Sequence, residues 1–598
     1  MRLYAGVVRF FVIVVLAHAA MFAVVGALAS RSRGEEIPTN TVRLAGSSLQ
    51  VRTLDPVGMG DTSSTSICDQ IYEGLVSYDQ ETLAVVPCLA DRWTVSPDGL
   101  TYTFHIRPGV RFIDDPCFPG GHGREVAASD FVFNFTRMAD PVAAGTGFWL
   151  VDGRVVGATE YNEARRRLIE ATPRLWEIDS IFEGTRGIPG YQAPAPDTFQ
   201  IRLERPFAPF LKVLAMAYFR VAAPEAVEMY GPARNAPGRD TFFSHPVGTG
   251  PFMLQRWEPD VEILLRRNPN YWGRDDQGRR LPYVDAVHIV SRRDPHTAFM
   301  EFEEGAADIA GVPDQDWDRV MTPDKRLRPA YEKRFVLETA PILTTQYYGF
   351  DMSQPPFGGN KKLRQALNYA VDRESIIKQI GRGIGTPAYG PIPQGLPGYD
   401  PSNQRYRYDP ERAKQLLAEA GYPEGKGLDE IVLYVSGVGD VADRNSVALM
   451  EQFRRIGVRI RLKQQPWPLH LEAIDKREPR FFSLGWVADY PDAENFLALF
   501  TTRNHTPGPN ATLYSNPEFD RLYDLAMAEL DEARRTELYR QAAAIIVEDC
   551  PWLFVTHGEN LSLRQPWVRN FPPNPLGVYF YKNLILEGRE PSRAGSAG

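Results

Sequence analysis

The sequence predicts an α/β protein with more than one domain. Its 598 residues exceed the length that one hydrophobic core usually supports. Segments of strand and helix character alternate from about residue 350 to 555, which is typical of an α/β lobe. Hydrophobic residues make up 43% of the chain and charged residues 24%, a globular balance rather than a disordered one.

The distribution of charge and of reactive side chains excludes several classes of function. The formal net charge is -8 and no basic block is present, so we expect no nucleic-acid partner. The nine His residues show no metal-ligand spacing, and no nucleophile motif such as GxSxG occurs. We therefore predict no catalytic residue, no metal and no cofactor.

The N-terminus has the pattern of an export segment. Arg2 and Arg9 precede an apolar run from Phe10 to Ala29, which ends in a small-x-small cleavage pattern. We predict that residues 1–29 are a signal peptide cleaved after Ala29. The alternative is a retained membrane anchor, because the run is nearly long enough to span a bilayer. Either way we expect a periplasmic protein, held on the outer face of the inner membrane if the anchor is retained.

The spacing of the cysteines does not decide whether they form disulfide bonds. The chain has four cysteines, and they match no zinc pattern: Cys68, Cys88, Cys117 and Cys550. A bridge between Cys88 and Cys117 is one interpretation, and free or buried thiols are the other.

In the first half of the chain, alternating apolar and polar residues predict strands. These are Thr41–Arg52, Thr101–Ile106, Thr198–Leu203, Phe252–Trp257 and Glu262–Arg266. Helical spacing predicts four helices. These are Ile67–Val76, a helix from Ala128 with Ser129 as its N-cap, Glu163–Glu170 and Pro206–Leu214.

In the second half, helical and strand patterns alternate. The predicted helices are Lys361–Ile380, Glu411–Ala420, Ala442–Ile456 and much of Phe519–Val547. The predicted strands are Ile431–Val435 and Val458–Lys463. Gly421 and Gly457 follow two of these helices, as expected for residues that end a helix.

One strand-like stretch ends on a carboxylate. An apolar, aromatic-rich run from Phe481 leads through Trp486 to Asp489 and Tyr490, and a loop follows. An acid beside two large aromatic side chains suits capture of a cation inside a desolvated pocket. The alternative is that Asp489 only caps the turn at Tyr490-Pro491.

Five local motifs occur in one order along the chain. They are Leu54-Asp55-Pro56 with Ile71–Asp79, Leu100–Phe104 with Arg107–Phe112, Val247–Phe252 with Arg267–Trp272, Leu363–Arg373, and Asp409–Leu417 with Ala420-Gly421-Tyr422. Together they resemble the family 5 extracellular solute-binding proteins of ABC importers, the oligopeptide- and dipeptide-binding group. The resemblance covers about residues 40–585.

This resemblance implies a large type II periplasmic-binding-protein fold, with two lobes and a ligand cleft between them. Lobe I would be discontinuous and would carry an inserted subdomain. The implied boundaries are 40–85, 197–345 and 556–598 for lobe I, 86–196 for the insertion and 346–555 for lobe II. The hinge strands would lie near Tyr347–Asp351 and near Trp552–Thr556.

The resemblance also implies the site and the partners. The strand matching Gly485, Trp486, Val487 and Ala488 would pair with the ligand backbone, since strand addition binds any peptide sequence. Asp489 would anchor the α-ammonium group, and Trp486 and Tyr490 would form apolar walls. We expect a monomer that binds a peptide, closes about its hinge and docks on the transmembrane subunits of an ABC permease. The alternatives are another small solute, such as an oligosaccharide or a metal chelate, or a membrane-anchored solute sensor.

Overall fold

A computed structural model describes most of the chain. The described residues are 37–46, 50–143, 145–172, 181–182, 185, 187–231, 241–437, 444–506 and 508–589. The predicted export segment, residues 1–29, lies outside them. Within these ranges no helix combines the length and the apolar character needed to cross a membrane.

Helices and strands alternate along the described chain. The helices are α1 Thr62–Ile71, α2 Ala128–Met138, α3 Ala158–Ala171, α4 Phe210–Leu214, α5 Pro224–Tyr230, α6 Pro295–Glu303, α7 Trp317–Val320, α8 Pro329–Glu332, α9 Lys361–Tyr369, α10 Arg373–Gln379, α11 Pro410–Glu419, α12 Arg444–Arg454, α13 Trp467–Asp475, α14 Glu494–Leu497, α15 Pro517–Ala528 and α16 Glu532–Asp549. The strands are β1 Thr41–Gly46, β2 Val76–Tyr78, β3 Val85–Pro87, β4 Ala90–Val95, β5 Thr101–Ile106, β6 Tyr191–Ala195, β7 Thr198–Arg202, β8 Phe252–Glu258, β9 Glu262–Arg267, β10 Ala286–Ser291, β11 Ile309–Ala310, β12 Val336–Phe350, β13 Thr386–Pro387, β14 Ile431–Ser436, β15 Ile460–Gln465, β16 Phe481–Val487, β17 Trp552–Arg564, β18 Val568–Arg569 and β19 Ile585–Leu586.

One large sheet runs through the molecule in the order β15-β14-β16-β12-β17-β11-β1-β10-β9-β8. Strands from residues 41–310 lie on one side of the central pair β12 and β17, and strands from residues 431–487 lie on the other. The α/β class predicted from the sequence is confirmed. Strands β14, β15 and β16 pair in parallel.

The two longest strands, β12 and β17, cross the middle of this sheet as an antiparallel pair. Val336–Pro341 pairs with the C-terminal half of β17, and Thr345–Gly349 pairs with its N-terminal half. The register shifts between Pro341 and Thr345. Because an irregular pairing holds fewer ladder bonds, the two halves of the sheet are joined through a weakened segment.

A second sheet, β4-β5-β7-β6, lies apart from the large sheet and packs against α2. Its core contains Phe131, Phe135 and Phe199, whose ring centroids lie 5.5 to 6.0 Å apart. Its strands come from the range that the family resemblance assigns to the inserted subdomain and from the residues that follow it.

Helix boundaries differ from the predictions where a polar side chain caps a helix. The helix predicted at Ile67–Val76 begins earlier, because Asp61 accepts a hydrogen bond from the Ser64 amide at 2.7 Å. It ends at Ile71, and Val76 begins a strand instead. The predicted cap Ser129 is wrong: Ala127 occupies that position, and the Asp130 carboxylate accepts its amide hydrogen.

Two long predicted helices are each interrupted. Lys361–Ile380 is divided into α9 and α10, because the Asp372 side chain accepts from the Ser375 amide and starts a new helix. The helical stretch at Phe519–Val547 is likewise divided into α15 and α16, and Asp531 caps the second. Helical periodicity continued through both breaks, so the pattern of apolar residues did not reveal them.

The cysteines are free thiols. Cys88 is buried and Cys117 is half-buried, and the bridge considered between them is not formed. Burial raises the pKa of the Cys88 thiol to about 12, which makes it unreactive at neutral pH. Cysteine pairing therefore does not hold this fold together.

Candidate ligand-binding site

Strand β16 is paired on one side along its whole length and on the other side only at its start. Its seven residues pair with β12, whereas β14 pairs only with Phe481 and Phe482. The edge from Ser483 onward is therefore open to a further strand.

The backbone groups of Gly485 and Val487 face this open edge. The Ala488 amide donates to Leu343 O at 2.8 Å on the β12 side. On the opposite side, Ser483 O accepts from the His470 ring at 2.8 Å. Because backbone groups alternate in an antiparallel pair, Gly485 and Val487 turn theirs toward the open edge. Ala488, included in the predicted pairing segment, uses its amide within the sheet instead.

Asn495 holds Asp489 and Trp486 in one arrangement. Its Oδ1 accepts hydrogen bonds from the Trp486 indole at 2.8 Å and from the Asp489 amide at 3.0 Å. Its Nδ2 donates to Asp489 Oδ2 at 3.2 Å. The chain folds this way because α14 begins directly after the 489–493 loop and turns Asn495 back toward the end of β16. The aromatic ring and the acid therefore have a fixed relative position.

Asp489 is an acidic side chain with no cationic partner among the residues that the structure describes. Its carboxylate is accessible from the cleft, yet the surrounding protein removes enough water that desolvation raises its pKa. The hydrogen bond from Asn495 acts in the opposite direction. Within the described ranges no Lys, Arg or His lies at ion-pair distance from Asp489. Such a carboxylate gains from any cation that enters the cleft.

A cavity of about 820 Å³ opens in front of Asp489. Residues 149–154 and 205–207 form one wall, and residues between 486 and 528 form the other. The volume lies within the range that small organic ligands occupy, about 300–1,000 Å³. A separate cavity of about 260 Å³ beside His557 is smaller and does not include Asp489.

The remaining predicted site residues differ in their exposure. Trp486 and Tyr490 both line the large cavity. Tyr490 is 2% exposed and donates its hydroxyl hydrogen to Glu494, so most of its ring is packed inside the protein. Val487 is 60% exposed at the open edge. The structure thus brings Trp486, Asp489 and Tyr490 together at the cavity, with Gly485 and Val487 beside it.

The wall opposite Asp489 was not predicted from the sequence. It includes Trp149 and Arg154, more than 300 residues earlier in the chain. Tyr218 also lies near: burial raises the pKa of its hydroxyl, and the charge of Asp489 contributes to that rise. No local pattern marks these residues, since their role depends on which segments meet across the cavity.

A family model described as bacterial extracellular solute-binding proteins, family 5 Middle, matches residues 84–508. The chain belongs to this family. The predicted two-lobed, type II fold is confirmed by a solved structure, HbpA2 from Haemophilus parasuis. That structure has a TM-score of 0.73 and 25% sequence identity, and the match covers 92% of this chain and 99% of that one.

Two curated relatives of this solute-binding protein match over most of their length. The dipeptide-binding protein of Escherichia coli is 30% identical over 519 residues, covering 86% of this chain and 89% of that protein. Heme-binding protein A of Haemophilus influenzae is 29% identical over 530 residues, covering 88% and 89%. The family thus includes members named for chemically different solutes.

Proposed function

We propose that this solute-binding protein binds peptides in the cavity before Asp489 and delivers them to an ABC permease. The observation that carries the proposal is the Asp489 carboxylate, which faces the cleft without an ion-pair partner among the described residues, at the end of a strand with an open edge. A peptide supplies an ammonium group for the acid and main-chain groups for Gly485 and Val487. The name of the Escherichia coli relative, a dipeptide-binding protein, supports the same class.

The peptide is held without chemical change, and the two lobes close on it. Lobe I comprises residues 40–85, 197–345 and 556–598, with 86–196 inserted, and lobe II comprises 346–555. Strands β12 and β17 pass from one lobe to the other and act as the hinge. A ligand that touches both lobes stabilises the closed form, which a monomer then presents to the permease. The protein works outside the cytoplasm, with residues 1–29 as its export signal or anchor.

The test is calorimetry with alanyl-leucine and its N-acetylated form. The wild-type protein is expected to bind the free peptide and to lose about 100-fold in affinity for the acetylated one, since a desolvated charge pair is broken. Asp489→Asn should remove this preference. Asp429→Asn, at an exposed acid that does not line the cavity, is the matched control.

Equal binding of both peptides to the wild-type protein contradicts the ammonium anchor. A second class, non-peptide solutes, is favoured if no peptide binds, because one relative is named for heme. Mass spectrometry of the protein purified from its host under native conditions would then identify a retained solute by its mass.

A further inference from the structure

Arg154 reaches the same cavity from the wall opposite Asp489. Its Nη1 donates hydrogen bonds to Trp149 O at 3.1 Å and to Leu150 O at 3.2 Å. The guanidinium carbon lies 4.7 Å from the centre of the Phe207 ring. These three contacts hold the guanidinium group in place before any ligand enters.

Arg154 makes no ion pair with any acid in the described part of the chain. Its positive charge is felt by Glu494, whose pKa is raised by burial and lowered by Arg154. The Glu494 carboxylate, however, accepts its hydrogen bonds from the Tyr490 and Tyr523 hydroxyl groups. Arg154 is therefore a fixed cation whose remaining N–H groups are not used by an acid.

Another arginine at the cavity is different. Arg503 donates to Asp524 at 2.8 Å, so its charge is already balanced by the protein. Asp152, Glu494 and Arg205 also line the cavity without an ion pair among the described residues. Asp152 and Glu494 accept hydrogen bonds from hydroxyl groups of the protein, and of the two arginines it is Arg154 that backbone carbonyls hold in place. Asp489 and Arg154 thus present an acid and a fixed cation on the two walls. A solute that has an amine and a carboxylate balances both.

We propose that Arg154 determines specificity by binding a carboxylate of the solute whose amine is held by Asp489, which rests on the peptide function proposed above. A guanidinium group binds a carboxylate through two parallel hydrogen bonds, and the contacts to Trp149, Leu150 and Phe207 fix its orientation beforehand. Arg154 lies in the proposed inserted subdomain and Asp489 in lobe II. A zwitterionic solute therefore draws the two walls together, whereas a simple amine contacts one of them.

The carboxylate comes either from the C-terminus of a short peptide or from an acidic side chain. Four peptides separate the two sources: alanyl-leucine, alanyl-leucinamide, glutamyl-leucinamide and glutaminyl-leucinamide. Each pair differs by one carboxylate. Calorimetry of all four with the wild-type protein and with Arg154→Gln gives a double-mutant cycle between the guanidinium and that carboxylate.

We expect Arg154→Gln to weaken the binding of one carboxylate-bearing peptide by at least about tenfold and to leave its neutral counterpart within about twofold. A loss confined to alanyl-leucine identifies the C-terminus, and a loss confined to glutamyl-leucinamide identifies the side chain. Arg154→Lys should keep part of the preference, because the charge remains and the planar fork is lost. Arg202→Gln, at an exposed arginine of β7 outside the cavity lining, should behave as wild type.

The proposal is overturned if Arg154→Gln weakens the charged and neutral peptides equally, which indicates a structural role, or if it changes neither. The anchor at Asp489 fails separately: N-acetyl-alanyl-leucine would then bind as well as alanyl-leucine while the Arg154 preference persists. A wild-type protein that binds none of the four peptides contradicts both proposals.

Discussion

Lys212 Nζ lies 2.8 Å from Asp492 Oδ2, and this ion pair joins two parts of the chain that are 280 residues apart. Asp492 is 1% exposed and also accepts the Tyr539 hydroxyl hydrogen at 2.7 Å. Lys212 belongs to the proposed lobe I and Asp492 to the proposed lobe II, three residues after Asp489. The pair therefore connects the loop that contains the proposed anchor to the opposite lobe.

Removing this cation should weaken closure more than folding. In Lys212→Met, the closed form leaves Asp492 without its cation, whereas an open form lets water reach the acid. We expect peptide affinity to fall by about tenfold, or about 1.4 kcal/mol, measured by calorimetry. Lys414→Met, at an exposed lysine of α11, is the control. If peptide affinity is unchanged and the free energy of unfolding falls, Lys212 stabilises the fold and not the closed form.

As the pH falls, peptide affinity should decrease at a higher pH than it would if Asp489 had the pKa of an ordinary aspartate. Desolvation raises the pKa of the free Asp489 carboxylate, and only its ionised form binds an ammonium group. Affinity is therefore full above that raised pKa and is lost as the pH falls through it. Calorimetry between pH 7 and pH 4 measures this curve. In Asp489→Asn the residual binding should not follow it, and a wild-type profile that stays flat to pH 4 contradicts the role of Asp489.

Asn495→Ala should lower affinity although Asn495 need not touch the ligand. The change removes the donor to Asp489 and the acceptor for the Trp486 indole, so both side chains lose their fixed positions. We expect about a tenfold loss of peptide affinity, and a shift in tryptophan fluorescence that reports the freed indole. A loss of affinity without any change in the emission of Trp486 would show that the two effects are independent.

Proline substitutions should separate the open edge of β16 from its paired edge. Val487→Pro removes an amide that faces the open edge, and strand edges tolerate proline. We expect weaker peptide binding, about tenfold, with nearly unchanged thermal unfolding. Trp486→Pro is the matched change on the paired side, and it should destabilise the sheet by about 3 kcal/mol or more. If both variants lose stability equally, the backbone groups of residues 485–487 do not alternate between the open and the paired edge of β16 as we infer.

Arg364 gives a prediction about stability alone. Arg364 is buried and donates to the backbone carbonyls of Phe357, Asp549 and Cys550. Two of these carbonyls lie at the end of α16, where helix carbonyls lack partners. Arg364→Met should therefore lower the free energy of unfolding by about 3 kcal/mol, measured by denaturant titration, without changing which peptides bind.

Sequence patterns predicted the local parts of this structure. The alternation around β14, α12 and β15 predicted an α/β lobe, because apolar periodicity reflects the side on which each element is buried. The breaks at Asp372 and Asp531 were missed, since one capping side chain outweighed a continuous apolar pattern.

Only one wall of the site was predicted from the sequence, the wall that contains Asp489. Asp489 and Trp486 lie within four residues of each other, so their proximity could be inferred from the sequence. Their joint partner, Asn495, is close along the chain, but its orientation depends on the turn before α14. Arg154 could not be connected with them, because local patterns contain no information about which distant segments face each other across a cavity.

The open edge of β16 also bears on association between copies of the chain. Unpaired strand amides attract any extended chain, so an exposed edge favours association between copies. Here the edge adjoins the cavity between the two walls rather than the rim of the sheet, and the outermost strands, β15 and β8, lie elsewhere. Only a chain thin enough to enter the cleft can reach it. A folded neighbour is too large to enter this cavity. Under the proposed function, the edge would therefore be available to short peptides and not to another copy of the chain.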